Sequence, residues 1–277
     1  MPLHVYLNRC RKKSTTANVD SSAIAKRKCF LCADNQPHEQ QSIFHLIRGT
    51  KYRFQVNPYP ITPYHFTIAD AAHKPQRIAG RIADMWDINR NLKDYAILYN
   101  GPRCGASAPD HFHFQAAPAG FIPLCATIEK ADIAINDIYE GAEGKISISK
   151  DLWWPHFIIS SYSSEGAMTL CEKVLSLLPK ENEDDEPKVN IVVFNNNTAV
   201  GSTLITIIPR SKHRPTNYGT GDGKCLFSPG AFDMAGVITL IEEDDYKKLD
   251  YEAIAAMLDE VSIDRSTYQS ILDSTTE

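Results

Sequence analysis

The segment Asp110-His111-Phe112-His113-Phe114-Gln115 constrains this chain more than any other. Polar and aromatic residues alternate along it, and in an extended strand successive side chains point to opposite faces. His111, His113 and Gln115 then share one face, while Phe112 and Phe114 enter a core. Such a strand is a rigid shelf that presents two imidazoles and an amide.

A neutral imidazole has a nitrogen lone pair near pH 7 and can attack phosphorus, provided its other nitrogen donates to an acceptor that fixes the tautomer. Gln115 can donate to a non-bridging phosphate oxygen but has no proton to give a leaving group and cannot activate water. The pair His113 and Gln115 therefore favours group transfer to a strong acceptor over hydrolysis. The preceding loop, Asn100-Gly101-Pro102-Arg103-Cys104-Gly105-Ala106-Ser107, is rich in small residues that let backbone N–H groups approach phosphate oxygens. Asn100 and Ser107 add side-chain hydrogen bonds and Arg103 adds charge; an ordinary connecting loop would share much of this composition. Asn57-Pro58-Tyr59-Pro60 reads either as a Pro-rich turn or as a place where Asn57 meets ribose hydroxyls. Cys29-Phe-Leu-Cys32 has the spacing for two thiolates on one tetrahedral Zn²⁺, and also that of a redox pair or two unconnected thiols.

Seven cysteines, scattered and odd in number, do not form a disulfide framework. The net charge of -5 argues against a nucleic-acid-binding surface, so phosphate recognition has to be local. No stretch is long and apolar enough to span a bilayer and no signal run opens the chain, which makes a cytoplasmic location the expectation. Nothing in the sequence speaks to the oligomeric state.

Strand-like patterning, with period-two alternation at 52–56 and 111–115, predicts strands at 3–7, 52–56, 65–68, 95–99, 111–115, 145–149 and 157–160, and apolar β-branched runs predict two more at 189–194 and 203–208. Helical spacing predicts helices over 76–93, 165–178 and 251–261. The basic residues within 1–28 read as a polar arm, and the charge run 180–188 as a solvated loop. An echo between His65-Phe-Thr-Ile…His73 and Leu204-Ile-Thr-Ile…His213 suggests a duplicated α+β unit, chance similarity being the alternative.

Together, Asn100-Gly101, Gly105-x-Ser107 and His111-x-His113-x-Gln115 resemble the transferase branch of the histidine-triad superfamily, which has Gln where other branches have a third histidine. Asn57-Pro58-Tyr59-Pro60 followed by His65 is similar to the nucleotide-ribose strand of that branch, and Ser228 to Val237 to the C-terminal segment of its GDP-hexose phosphorylases. The resemblance implies an α+β fold with a mostly antiparallel sheet and flanking helices. It implies two histidine-triad-like halves, taken as residues 1–125 with the catalytic motif and 126–277. It implies a phosphorylase or nucleotidyltransferase acting on a nucleoside diphosphate sugar or dinucleoside polyphosphate, with orthophosphate or a sugar phosphate as co-substrate. His113 would carry the nucleotidyl group, Gln115 would hold its phosphate, Asn100, Gly101, Gly105 and Ser107 would bind phosphates, and Asn57 would bind ribose. Cys29, Cys32, His73 and His111 match the zinc ligands of the uridylyltransferases, a structural site. Relatives carry Pro and a basic residue where this chain has Ala69-Asp70-Ala71-Ala72, so Arg210, Lys212 and His213 become candidates for the missing charge, a solvated turn being the alternative.

Overall fold

The computed structural model describes residues 1–182, 186–196 and 202–276, so part of the charge run at 180–188 lies outside the described residues. Ten strands form one sheet: β2 (Ser42–Ile47), β3 (Thr50–Val56), β4 (Phe66–Asp70), β5 (Tyr95–Asn100), β6 (His113–Pro118), β7 (Ile135–Gly141), β8 (Gly144–Ser149), β9 (Phe157–Ser161), β10 (Val189–Asn196) and β11 (Ser202–Pro209). A separate parallel pair joins β1 (His4–Leu7) near the N-terminus to β12 (Val237–Leu240).

The order across the large sheet is β2-β3-β4-β6-β5-β10-β11-β9-β8-β7. Read inward from either edge, the order is the same: hairpin, third strand, fifth strand, fourth strand. Each set carries one helix between its third and fourth strands, α3 (Ile82–Asn91) in the first and α5 (Ser164–Leu177) in the second. The two sets meet where β5 pairs antiparallel with β10, Asn100 opposite Asn190 and Leu98 opposite Val192. The expected duplication is thus present in the topology, but not where the sequence echo placed it. That echo aligned β4 with β11, whereas the counterpart of β4 is β9 and that of β11 is β6. Two strands rich in Ile and Thr look alike wherever they sit.

The sheet buries both faces. Ile68, Ile97, Tyr99, Phe112, Phe114, Ile159, Ile191, Val193, Ile205 and Ile207 pack under α3 and α5. On the opposite face Leu98, Ala117, Val192, Leu204 and Ile208 meet α4 (Pro123–Glu129), α6 (Ala231–Met234), α8 (Tyr251–Val261) and β12. The three apolar strands at the middle read as continuous Val/Ile/Leu runs because neither of their faces sees water. The edge strands β2 and β7 carry no such signal: Ile43, Phe44 and Leu46 are exposed on β2, and Ile135 on β7.

Two predicted elements shift for stated reasons. The helix expected from residue 76 begins at Ile82, because Gly80 adopts φ +70° and Gln76 is committed elsewhere. The strand expected from His111 begins at His113; His111 lies on the bend before it. The basic arm also has structure. It forms α1 (Lys12–Thr15) and α2 (Ser21–Ala25) and folds over the face of the sheet that carries His113.

Candidate active site

His113 opens β6 between Ala69 of β4 and the end of β5. Phe112 and Phe114 turn to the helix face, so His113 and Gln115 turn to the other, into a cavity of about 610 Å³. The His113 imidazole is 7% exposed, and its Nδ1 lies 2.9 Å from the carbonyl oxygen of His111. A carbonyl only accepts, so Nδ1 carries the proton and Nε2 keeps its lone pair. Burial pushes the His113 pKa down to about 4, which keeps the ring neutral.

Gln115 is oriented by the same logic. His65 Nδ1 accepts from the backbone N–H of Ile61 at 3.1 Å, so the proton of the neutral ring sits on Nε2. That N–H donates to Gln115 Oε1 at 2.9 Å. Burial, helped by nearby Arg11, lowers the His65 pKa to about 3, so the imidazole stays neutral. With Oε1 occupied, the Gln115 amide N–H groups remain as donors beside His113.

A third residue fixes the strand itself. The β5–β6 ladder ends at Leu98 opposite Gln115, and the side chain of Gln76 fills the gap beyond it. Its Oε1 accepts from His113 N at 2.8 Å, and its Nε2 donates to His113 O at 2.9 Å and to Asn100 O at 3.0 Å. Neither His65 nor Gln76 was marked by the sequence motif. His65 follows the Pro-rich turn, the one local hint; a lone glutamine in an irregular segment gives none.

Of the expected substrate contacts, Asn57, Asn100, Gly105 and Ser107 line the cavity with His113 and Gln115. Asn57 accepts from Tyr59 N at 2.8 Å and donates to Thr67 Oγ1 at 3.0 Å. Asn100 Oδ1 accepts from Ala231 N at 2.7 Å and Asn190 Nδ2 at 2.9 Å, which ties the loop to the Ser228–Gly230 stretch. Gly105, at φ +92°, passes so close that a Cβ would lie 2.5 Å from the Gly230 Cα.

Gly101, Arg103, Arg210 and Lys212 are not brought to this cavity. Gly101 N donates to Val189 O at 3.0 Å, and its own Cα faces that strand. Arg103 pairs with Glu181 at 3.3 Å on the surface of a separate cavity. Lys212 pairs with Glu260 at 2.6 Å. Arg210 is 2% exposed and donates to Asn190 Oδ1, Pro229 O, Val261 O, Lys212 O and His213 O. Its guanidinium braces Asn190, and through it Asn100, and has little left for a ligand.

Cys29, Cys32, His73 and His111 converge, with all four ligand atoms within 4.8 Å of one another. Cys29 Sγ lies 3.3 Å from His111 Nδ1, Cys32 Sγ 3.2 Å from His73 Nδ1 and 3.6 Å from His111 Nδ1. Zinc bonds of about 2.3 Å to sulfur and 2.0–2.1 Å to nitrogen at a tetrahedral angle give an S···N edge of about 3.6 Å, so these residues fit a metal ion. His111 Nε2 donates to Asp70 O at 2.8 Å, which turns the Nδ1 lone pair to the sulfurs. Burial and the neighbouring Cys29 push the Cys32 thiol up to about 11, so a cation would have to displace its proton. All seven cysteines are free of disulfides.

Residues 1–118 match the model of a family described as a domain of unknown function, DUF4922. No curated protein matches the chain. Among solved structures, the yeast Ap4A phosphorylase Apa2 in complex with AMP aligns with 81% of this chain and 89% of its own, at 16% identity and a TM-score of 0.53. A second structure of yeast Apa2 covers 94% and 95% at 16% identity and 0.52. A Bacillus cereus protein of the DUF4931 family covers 57% and 81% at 13% identity and 0.44. No helix among the described residues is long and apolar enough to cross a membrane. What the alignment to yeast Apa2 establishes is architecture: the two proteins share a fold across most of both chains.

Proposed function

We propose that the protein is a nucleotidyl-transferring phosphorylase in which His113 is the nucleophile. The observation that carries this reading is a neutral imidazole, locked as the Nδ1–H tautomer, whose free Nε2 faces a cavity beside an oriented amide donor. The structural neighbour with AMP bound is a dinucleotide phosphorylase, which supports nucleotide as the ligand and a dinucleoside polyphosphate as one substrate class. A nucleoside diphosphate sugar presents the same pyrophosphate linkage.

In the first half-reaction Nε2 attacks the α-phosphorus, an N–P bond forms and the bond to the bridging oxygen breaks. The departing phosphate leaves as an anion and needs no proton, which suits a site whose second polar group is Gln115. Gln115 donates to the non-bridging oxygens as their charge grows. In the second half-reaction orthophosphate or a sugar phosphate displaces His113, with net retention at phosphorus. Asn57 contacts the ribose from the residue after β3, and Asn100, Gly105 and Ser107 line the phosphate path. Zinc at Cys29, Cys32, His73 and His111 would be structural, since four protein groups fill its coordination. It would anchor the bend from which β6 starts and so hold His113 in place. The two sets of strands would be two units dividing near residue 125, with chemistry in the first. β11, the counterpart of β6, has no histidine.

Intact-mass measurement after mixing with nucleoside diphosphate sugars and dinucleotides tests this. A covalent adduct of one nucleoside monophosphate, absent in His113→Ala, is expected. Tight nucleotide binding with no adduct would leave a binding protein instead. Turnover that does not depend on added phosphate would indicate a hydrolase.

A further inference from the structure

The cavity around His113 is electropositive in a chain that is acidic overall. Arg11, Lys13, Arg27 and Arg214 line it, and among the described residues Asp233 is the one carboxylate that does. Asp233 is spoken for by the N–H groups of Gly230 at 2.9 Å and Thr239 at 3.1 Å. Two of the cations are also spoken for. Arg27 pairs with Asp110 at 2.5 Å, and Arg11 donates to Tyr59 O and faces Asp233.

Lys13 and Arg214 differ. Neither forms an ion pair with a described carboxylate, although the chain has 34 acidic residues. Arg214 Nε donates to Ser228 Oγ at 3.0 Å, and Nη2 to Thr15 O at 3.4 Å and Ala17 O at 3.2 Å, with the guanidinium 4.0 Å over the Tyr218 ring. Those bonds leave Nη1 open and clamp the basic arm, which carries Lys13, onto the second half of the chain. Beside them lies the half-buried His213, whose ring approaches the Arg103 backbone. Asp20 acts on Arg214 only from beyond ion-pair distance. A cation cluster with more positive than negative charge around a cavity is unfavourable unless an anion completes it.

Strand order says which part of a ligand this lobe meets. Gln55 and Asn57, at the end of β3, lie two strands from β6 on one side. Asn100 on β5 and residues 213–214, just beyond β11, lie on the other. With strands spaced about 4.8 Å apart, the cavity extends roughly 10 Å from His113 toward β3 and roughly 14 Å toward β11. A nucleoside seated over β3 leaves the opposite lobe for whatever is joined to its α-phosphate.

Resting on the nucleotidyl-transfer reading above, we infer that Lys13 and Arg214, with His213 beside them, form the site of the phosphate that departs with the leaving group and of the orthophosphate that replaces it. Both are phosphate dianions at neutral pH, so one lobe serves both half-reactions. In the second, an oxygen of hydrogen phosphate attacks the phosphorus held on His113. A P–O bond forms, the P–Nε2 bond breaks and its electron pair returns to Nε2. The proton of hydrogen phosphate stays on the terminal phosphate of the nucleoside diphosphate product. The acceptor site is therefore shared between the N-terminal arm and the turn after β11, and neither piece makes it alone.

A single-turnover experiment separates this claim from the one beneath it. The nucleotidyl-His113 adduct is formed without phosphate, then mixed with increasing inorganic phosphate while its decay is followed by mass. Lys13→Met, at an exposed side chain, and Arg214→Lys should each slow adduct formation and, once the adduct has formed, raise the phosphate concentration for half-maximal decay about tenfold or more. An adduct that forms and decays with unchanged phosphate dependence in both variants overturns the acceptor site and leaves the transfer reading standing. No adduct in the unaltered protein with any nucleotide overturns both.

Discussion

The side chain of Gln76 grips both main-chain polar groups of His113, accepting from its N–H at 2.8 Å and donating to its carbonyl at 2.9 Å. A glutamine side chain here does the work of a neighbouring strand. It lets β5 and β6 part enough to open the cavity without leaving their last peptide groups unpaired. Gln76→Leu keeps the volume and removes three hydrogen bonds, so stability should fall by about 3 kcal/mol or more, measured by urea unfolding. The turnover number should fall further than that of a distant variant of equal stability. Unchanged stability and turnover would remove Gln76 from the positioning role.

His65 and Gln115 act as one unit if the amide is oriented as described. Gln115→Ala should lower turnover about 10²-fold or more, as loss of a preorganised donor does elsewhere. His65→Leu should lower it less, because the amide is freed but not deleted. In the double variant the His65 change should add almost nothing to the Gln115 change. Additive effects in that cycle would show that His65 acts separately.

Purified protein should contain about one zinc per chain by elemental analysis, lost in Cys29→Ser together with much of the thermal stability. His113→Ala should keep the metal, since His113 Nδ1 is committed to the His111 carbonyl and its other nitrogen faces the cavity. Metal-free protein with unchanged melting behaviour would count against a structural zinc.

Glu186 supplies a pH signature. Burial pushes its carboxyl up to about 7, against bonds from Tyr99 Oη and from Ile78 N at 2.5 Å that favour the charge. The folded state therefore binds this proton more tightly than the unfolded chain. The stabilisation is present in full below about pH 4.5 and is lost as pH rises through about 7. A gap of some 2.5 pH units corresponds to about 3 kcal/mol. Relative to the unaltered protein, Glu186→Gln should gain stability between pH 4.5 and 7.5, read as a shift in the urea midpoint. A difference that does not change over that window would mean the carboxyl is not strained by burial.

The pairs that lie close along the chain were legible from residues 99–115 alone. Alternation put Phe112 and Phe114 in the core and His113 with Gln115 on the other face, because a strand leaves side chains no third direction. The CxxC pair and its two histidines also converged as the resemblance implied. A four-ligand set is recognisable by residue type even when its members are far apart.

Tertiary structure decided what the motif leans on. His65, Gln76 and Asn190 act through a few hydrogen bonds made from other segments, and one polar residue in a loop or strand carries no periodic signal. The same holds for charge. Arg103, in the loop before the histidine strand, and Arg210 and Lys212, in a second basic stretch, are cations that suggest phosphate, yet Glu181, the Asn190 carboxamide and Glu260 engage them. The cations that do line the cavity include Lys13 and Arg214, which are 201 positions apart and brought together by the folded arm. Local pattern fixes which face a side chain takes. Which partners and which charges meet it depends on contacts between segments that only the complete fold brings within reach.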